Sequence, residues 1–369
     1  MDVKKHVLLL IVVCCVFSLF LTVGCKKAEY DAIVFDDIDY VTEFPDSSTL
    51  TGGIPFADGV IGKYDFMIYD SLMFITTRFN HEAVKIVSLK NGKCLKGMID
   101  IGHGRNEFDS KPIMSVQASF YKDNDSLYCI MSDFHPGTSF RINITETLNS
   151  DTLAIEKNRF WNMRDIYDYV MLDSVYSDDA TFMTCSSGGF NGNIPIGFES
   201  RGKQKATPKN VERLNDYKID ITKGDCSILS NVLRYNRKNN VIVNAMLYFN
   251  YFNIVKLDDS FAKTVCIEER LQEVKDYDKG QEYERCITDV EMFDDFFAVF
   301  VVRPYKNAIL FFSYDGKPLY KLKCDEGVDF FAVDTRNEDL YLFYYEQDKI
   351  KKCNISPIFN KCKKYAKKI

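Results

Sequence analysis

The chain of 369 residues carries 47 basic against 53 acidic side chains, a formal charge of −6, which argues against nucleic acid as a partner. Its twelve cysteines and four histidines include no Cys-x-x-Cys pair and too few Cys/His clusters for a structural zinc site. Length alone would suggest two domains.

The chain begins "MDVKKHVLLLIVVCCVFSLFLTVGCKK": two lysines, an unbroken apolar run, and a small residue, Gly24, directly before Cys25. That order is an export signal. It resembles a bacterial lipobox, with Leu21 one place further from the cysteine than usual. The expectation is a signal peptide over 1–24, lipidation of Cys25 and a short tether over 25–29. The open alternative is an uncleaved anchor, since an apolar run from 7 to 24 is near the minimum of about 17 residues that spans a bilayer. Either places the protein in the cell envelope. Lys26 and Lys27 are no Asp-based retention signal, which favours the outer membrane, periplasmic or surface-exposed. Cleavage leaves 45 basic and 52 acidic side chains, a formal charge of −7.

Beyond the leader, apolar bursts recur as "YDSLMFIT", "NDSLYCIM", "SDDATFMT", "KNNVIVNAM", "FDDFFAVFV" and "NEDLYLFY". With Leu72, Leu127, Ala180, Val241, Phe296 and Leu340 taken as equivalent, the spacings are 55, 53, 61, 55 and 44 residues. Repeats of that length with several strands each are the signature of a β-propeller. Consecutive apolar positions such as "FFAVFVV" need both faces buried, as happens to a blade's inner strands. Hairpin signals follow three of the bursts, at Asn91-Gly92, Asp258-Asp259 and Asp315-Gly316, offset by 19, 17 and 19 residues. The expectation is an all-β, six-bladed propeller over 30–356 with four-stranded antiparallel blades. The last unit lacks a partner strand, which "YDAIVFDDIDYVTEF" (30–44) can supply, closing the ring and removing an exposed edge. Two polar stretches, 203–217 and 267–285, read as insertions between blades. The lysine-rich end, 357–369, reads as a solvated tail, or as a contact for anionic lipid headgroups. Cysteines within apolar runs, such as Cys129 and Cys266, read as buried hydrophobes, and Cys353 with Cys362 as the pair to check for a disulfide.

The run "NAILFFSYDGKPLYKLKCDEGVDFFAVDTRNEDLYLFYYEQDKIKKCNIS", with "YFNYFNIVKLDD" before it, resembles the TolB-like six-bladed propeller lipoproteins of Bacteroidetes. The resemblance covers most of the chain past the leader and is weakest over 149–222. It implies a propeller on a lipid anchor and carries over no catalytic residue.

The stretch "IGHGRNEF" (101–108) lies between the first outer strand and the next inner one, and resembles the linker of NHL-type propellers. A phosphate loop would need a helix directly after the glycines, and "RNEFDSKPIM" has none. It is therefore read as a blade linker, with Phe108 wedged between neighbours. Such linkers share one propeller face with the loops between second and third strands. That places Arg78, His81, His103, Arg105, Phe134, His135, Phe190, Asn191, Tyr248, Tyr251, Arg303 and Tyr305 on one face, rich in the side chains favoured at binding hot spots. The same aromatics can instead cap blade edges.

The function read from this is a monomeric, non-catalytic binding module for a protein, peptide or glycan, membrane-attached through its lipid and needing no cofactor. The alternative is a propeller hydrolase, with calcium or with His81, His103 and His135 gathered as a zinc or base site at the same face. No calcium-loop pattern and no Gly-x-Ser-x-Gly elbow supports that alternative.

Overall fold

A computed structural model describes residues 30–367, except 105, 133–138, 159–167, 172–180, 186–196, 201–202, 206, 218–225, 237 and 278–282. Residues 32–369 make one unit. Five of the six apolar bursts, all but the one at Ala180, become the second strand of a blade. Four of these strands, Leu72–Thr77, Val241–Met246, Phe296–Val301 and Asp339–Tyr344, are buried at every position. Every one of their residues loses water to a neighbouring blade on one side or the other, which is why polar alternation disappears from their sequences. The hairpin signals also fall where expected, with Gly92, Asp259 and Gly316 at positive φ between third and fourth strands.

The expected architecture of six uniform four-stranded antiparallel blades is corrected. Five blades, not six, carry the described interblade packing: residues 63–98, 118–158, 231–266, 287–323 and 330–354. A further ladder, Asp168–Met171 to Lys203–Lys205, consists of strands of three to five residues whose side chains lie outside the described set. It falls in the region where the sequence pattern is weakest. Two of the five blades are moreover five-stranded and mixed, because Ile38–Tyr40 pairs parallel with Ala262–Cys266, and Ser47–Thr49 parallel with Pro318–Lys323.

Ring closure is corrected as well. The last blade takes its outer strand from Ile54–Phe56, antiparallel to Lys349–Asn354, and not from 30–44. The segment 38–56 thus runs along the outer edges of three blades in turn, covering rows of backbone donors and acceptors that would otherwise invite pairing with another chain. Pro55 is compatible with this place because an edge strand needs no amide on its outer side.

The C-terminal end is a helix, Ser356–Ala366, with Ile358, Phe359 and Cys362 buried. Phe359 packs edge-on against Phe293 and Phe296, while Lys363 pairs with Glu338 at 2.7 Å and Lys361 with Asp46. The expected solvated or lipid-facing tail is therefore folded onto the propeller from 356 to 366. Cys353 and Cys362 are both free and buried, as are Cys129 and Cys266, so no disulfide joins the suspected pair.

Candidate binding site

The linker "IGHGRNEF" behaves as a structural element. Ile101 and Phe108 form a parallel bridge, the Gly102 amide donates to the Phe108 carbonyl at 2.9 Å, and the Gly104 amide donates to the Glu107 carboxylate at 2.7 Å. Phe108 is fully buried and stacks on Phe140 of the next blade at 4.1 Å. The loop also meets the second-to-third-strand loop of its own blade, Ile101 donating to the Asn80 carbonyl at 2.8 Å, so the two loop classes do share a face.

The sequence-predicted residues on that face are dispersed. His81 is 83% exposed with Nδ1 2.7 Å from Asp100, and His103 is 94% exposed with Nδ1 3.3 Å from Asp109. Each thus holds a different carboxylate on the rim. Among the described residues no group of three His, Cys, Asp or Glu side chains is placed to hold a metal ion. Tyr248 packs against Tyr283, and Tyr305 donates to the Ile267 carbonyl at 2.8 Å beneath the Lys321 ammonium. Tyr251 is removed from the face altogether. It opens the strand Tyr251–Lys256, is fully buried, and its hydroxyl accepts from the Ile33 amide at 3.1 Å. Arg105, Phe134, His135, Phe190 and Asn191 lie outside the described residues, as does Cys25.

Two of the predicted residues do border a common feature. The innermost strands Lys63–Tyr69, Asn231–Asn236, Ile287–Met292 and Phe330–Asp334, with the loops above them, enclose a cavity of about 1070 Å³. Arg303 lines it directly, tied to Glu284 at 2.8 Å. Arg78 stacks 4.5 Å over the ring of Tyr345, which lines the mouth beside Tyr64, their ring centroids 6.0 Å apart. This cavity exceeds the second one on the same rim, about 710 Å³ around Glu268, Arg270 and Tyr305.

The charged lining of the larger cavity was not found from the sequence. Asp65 and Asp289 occupy equivalent places in two innermost strands. Each follows a β-bulge, where the register steps from Lys63↔Thr77 to Asp65↔Thr76, and from Ile287↔Val301 to Asp289↔Phe300. The extra residue of each bulge, Tyr64 or Thr288, also lines the cavity. Bulges re-aim side chains in this way beside functional sites. Asp65 is 5% exposed and accepts from the Ser115 amide at 2.9 Å; burial pushes its pKa up to about 6, and the carboxylate of Asp289 adds to the rise. Asp289 is also buried and raised by desolvation, which the Arg234 guanidinium at 3.3 Å opposes. Glu291 is raised by burial and by repulsion from Asp289. A signal did exist: Asp65 and Asp289 each stand seven residues before their burst residue, Leu72 and Phe296, as acids inside a strand that leads into a burst.

Such a lining offers acceptors, guanidinium donors and aromatic faces at one opening, the composition of a polar-ligand pocket.

No family model matches the sequence, and no curated protein matches it. Among solved structures it is similar to a member of the DUF4221 family from Bacteroides vulgatus (10% identity, TM-score 0.48, covering 89% of this chain and 98% of that one). It is also similar to an auxiliary nutrient binding protein from Bacteroides thetaiotaomicron (6%, TM-score 0.45, 81% and 69%). A third likeness is to a catalytically inactive virginiamycin B lyase from Staphylococcus aureus with quinupristin (11%, TM-score 0.43, 83% and 85%). Likenesses this distant carry neither ligand nor activity across.

Proposed function

We propose that this chain is an exported, lipid-anchored β-propeller of the TolB-like lipoprotein kind that binds a protein, peptide or glycan without chemical turnover, and that the central cavity of its loop-rich face is the site. The cavity carries this reading: it combines Asp65, Asp289 and Arg234 on the inner strands with Arg303, Tyr64 and Tyr345 nearer the mouth. Charges fixed on hydrogen-bonded strands lose little entropy when a ligand arrives.

Isothermal titration of the leaderless chain against glycan and peptide libraries tests it. Arg303→Ala with Tyr345→Ala is expected to weaken any specific ligand about tenfold or more, about 1.4 kcal/mol. Unchanged affinity would move the site elsewhere. Attachment at Cys25 is tested by metabolic labelling with an alkyne fatty acid, which the full chain should incorporate and the Cys25→Ser variant should not; label retained in the variant would refute the anchor.

A further inference from the structure

Resting on that reading of the cavity, we propose that its inner wall receives a primary ammonium group of the ligand, with Asp65 as the counter-ion. Two of the arginines that line the cavity are already engaged. Arg234 is held by Asp289, and Arg303 by Glu284. Lys63, two residues from Asp65, is committed to Asp348, donating to its carbonyl at 2.8 Å. Among the described residues no basic side chain pairs with Asp65, and the charge that acts on it is the carboxylate of Asp289. A buried carboxylate without a cation is costly to keep, yet this one stands in the wall of an open cavity where an arriving cation can reach it.

The form of the cation follows from the geometry. A guanidinium prefers a carboxylate with both oxygens free for its fork, and Asp65 already accepts from the Ser115 amide on Oδ2, from the Ser115 side chain and from the Phe66 amide. A compact ammonium needs only one oxygen and has further protons to place. Thr288 also lines the cavity, and its Oγ1 has no hydrogen-bond partner among the described residues, a further acceptor in the same wall. Tyr64, Tyr345 and Phe330 give the ring faces against which the rest of the ligand packs. The shared chemistry is a primary amine, which an amino sugar or a peptide can bring.

The folded pKa of Asp65, about 6, lies above the ordinary 3.8. Its burial therefore costs nothing below pH 3.8, and the cost grows as pH rises through 6, reaching its full value at neutral pH. Asp65→Asn keeps an acceptor for Ser115 and removes the charge.

The test uses the leaderless chain at about pH 7.5. Titrations compare glucosamine oligosaccharides with their N-acetylated forms, and a lysine peptide with its fully acetylated counterpart. Within one pair, the charged member is expected to bind about tenfold tighter or better, and that pair names the source. Asp65→Asn should erase the difference and, without ligand, raise the melting temperature by about 2–4 °C. A lowered melting temperature, or no binding by any amine, overturns the proposal. So does equal binding of acetylated and free forms; if that binding still weakens in Arg303→Ala with Tyr345→Ala, the ammonium assignment fails while the cavity stands as the site.

Discussion

Phe108→Ala is expected to destabilise the propeller by about 3–5 kcal/mol, the usual cost of emptying a fully buried aromatic site. The ring sits among Leu72, Phe74, Met98, Met131 and Ile142 from two blades, stacked on Phe140. Its backbone is fixed on both sides, the amide donating to the Asp100 carbonyl at 2.9 Å and the carbonyl receiving Gly102. The wall therefore cannot collapse into the vacated space without breaking the bridge to Ile101. Urea unfolding followed by circular dichroism measures the effect, and His103→Ala, five residues away on an exposed side chain, is the control expected within about 0.5 kcal/mol. If the control proved the costlier change, "IGHGRNEF" would have to be more than a linker.

Asp348→Ala carries the second large effect, because it opens the seam where the two ends of the propeller chain meet. Asp348 follows the second strand of the last blade, and its carboxylate accepts from the Gly62 and Lys63 amides at 2.8 and 2.7 Å. The Lys63 ammonium, 2% exposed, lies 3.7 Å from the same carboxylate and donates to the Asp348 carbonyl. Burial holds the Lys63 pKa below its ordinary value, and Asp348 is the largest opposing influence. Removing the carboxylate leaves the buried cation without its nearest counter-charge, held by the residue-348 carbonyl alone, and strands two amides at once. Breaking a buried pair costs about 3–5 kcal/mol, and since the Asp348 side chain is a third exposed, about 3 is expected. A double-mutant cycle with Lys63→Met checks the cause, since the double variant should recover part of the loss. Equal loss in single and double variants would mean that the amide contacts, not the cation, carry the effect.

What the sequence disclosed and what it hid follow one physical rule. Long, continuously apolar strands report their own burial, so the bursts at Leu72, Val241, Phe296 and Leu340 were legible, as were the turns at Gly92 and Gly316, where positive φ restricts the residue type. Three-residue strands do not report themselves. Ile54–Phe56 is preceded by glycines and holds a proline, so nothing in it marks a closing strand, while the more apolar 30–44 drew the assignment. Tyr251 went astray through a boundary. In "YFNYFNI" the loop ends at Asn250, and one further residue carries a tyrosine from a binding face into the core. The C-terminal helix was masked by its lysines, which pair with Asp46 and Glu338 and leave Phe359 and Cys362 to hold the contact. The acids of the cavity depend on partners from distant parts of the chain, Asp65 with Ser115 and Asp289 with Arg234, and no local pattern reports such meetings.

Hydrogen exchange with and without the tightest ligand tests the central claim most directly. Binding in the cavity predicts added protection in the innermost strands, at residues 63–69, 231–236 and 287–292, and in the loop after Tyr344, with the outer strands and the C-terminal helix unchanged. Protection confined to the Glu268–Arg270 rim or to the outer strands would contradict it and place recognition outside the channel.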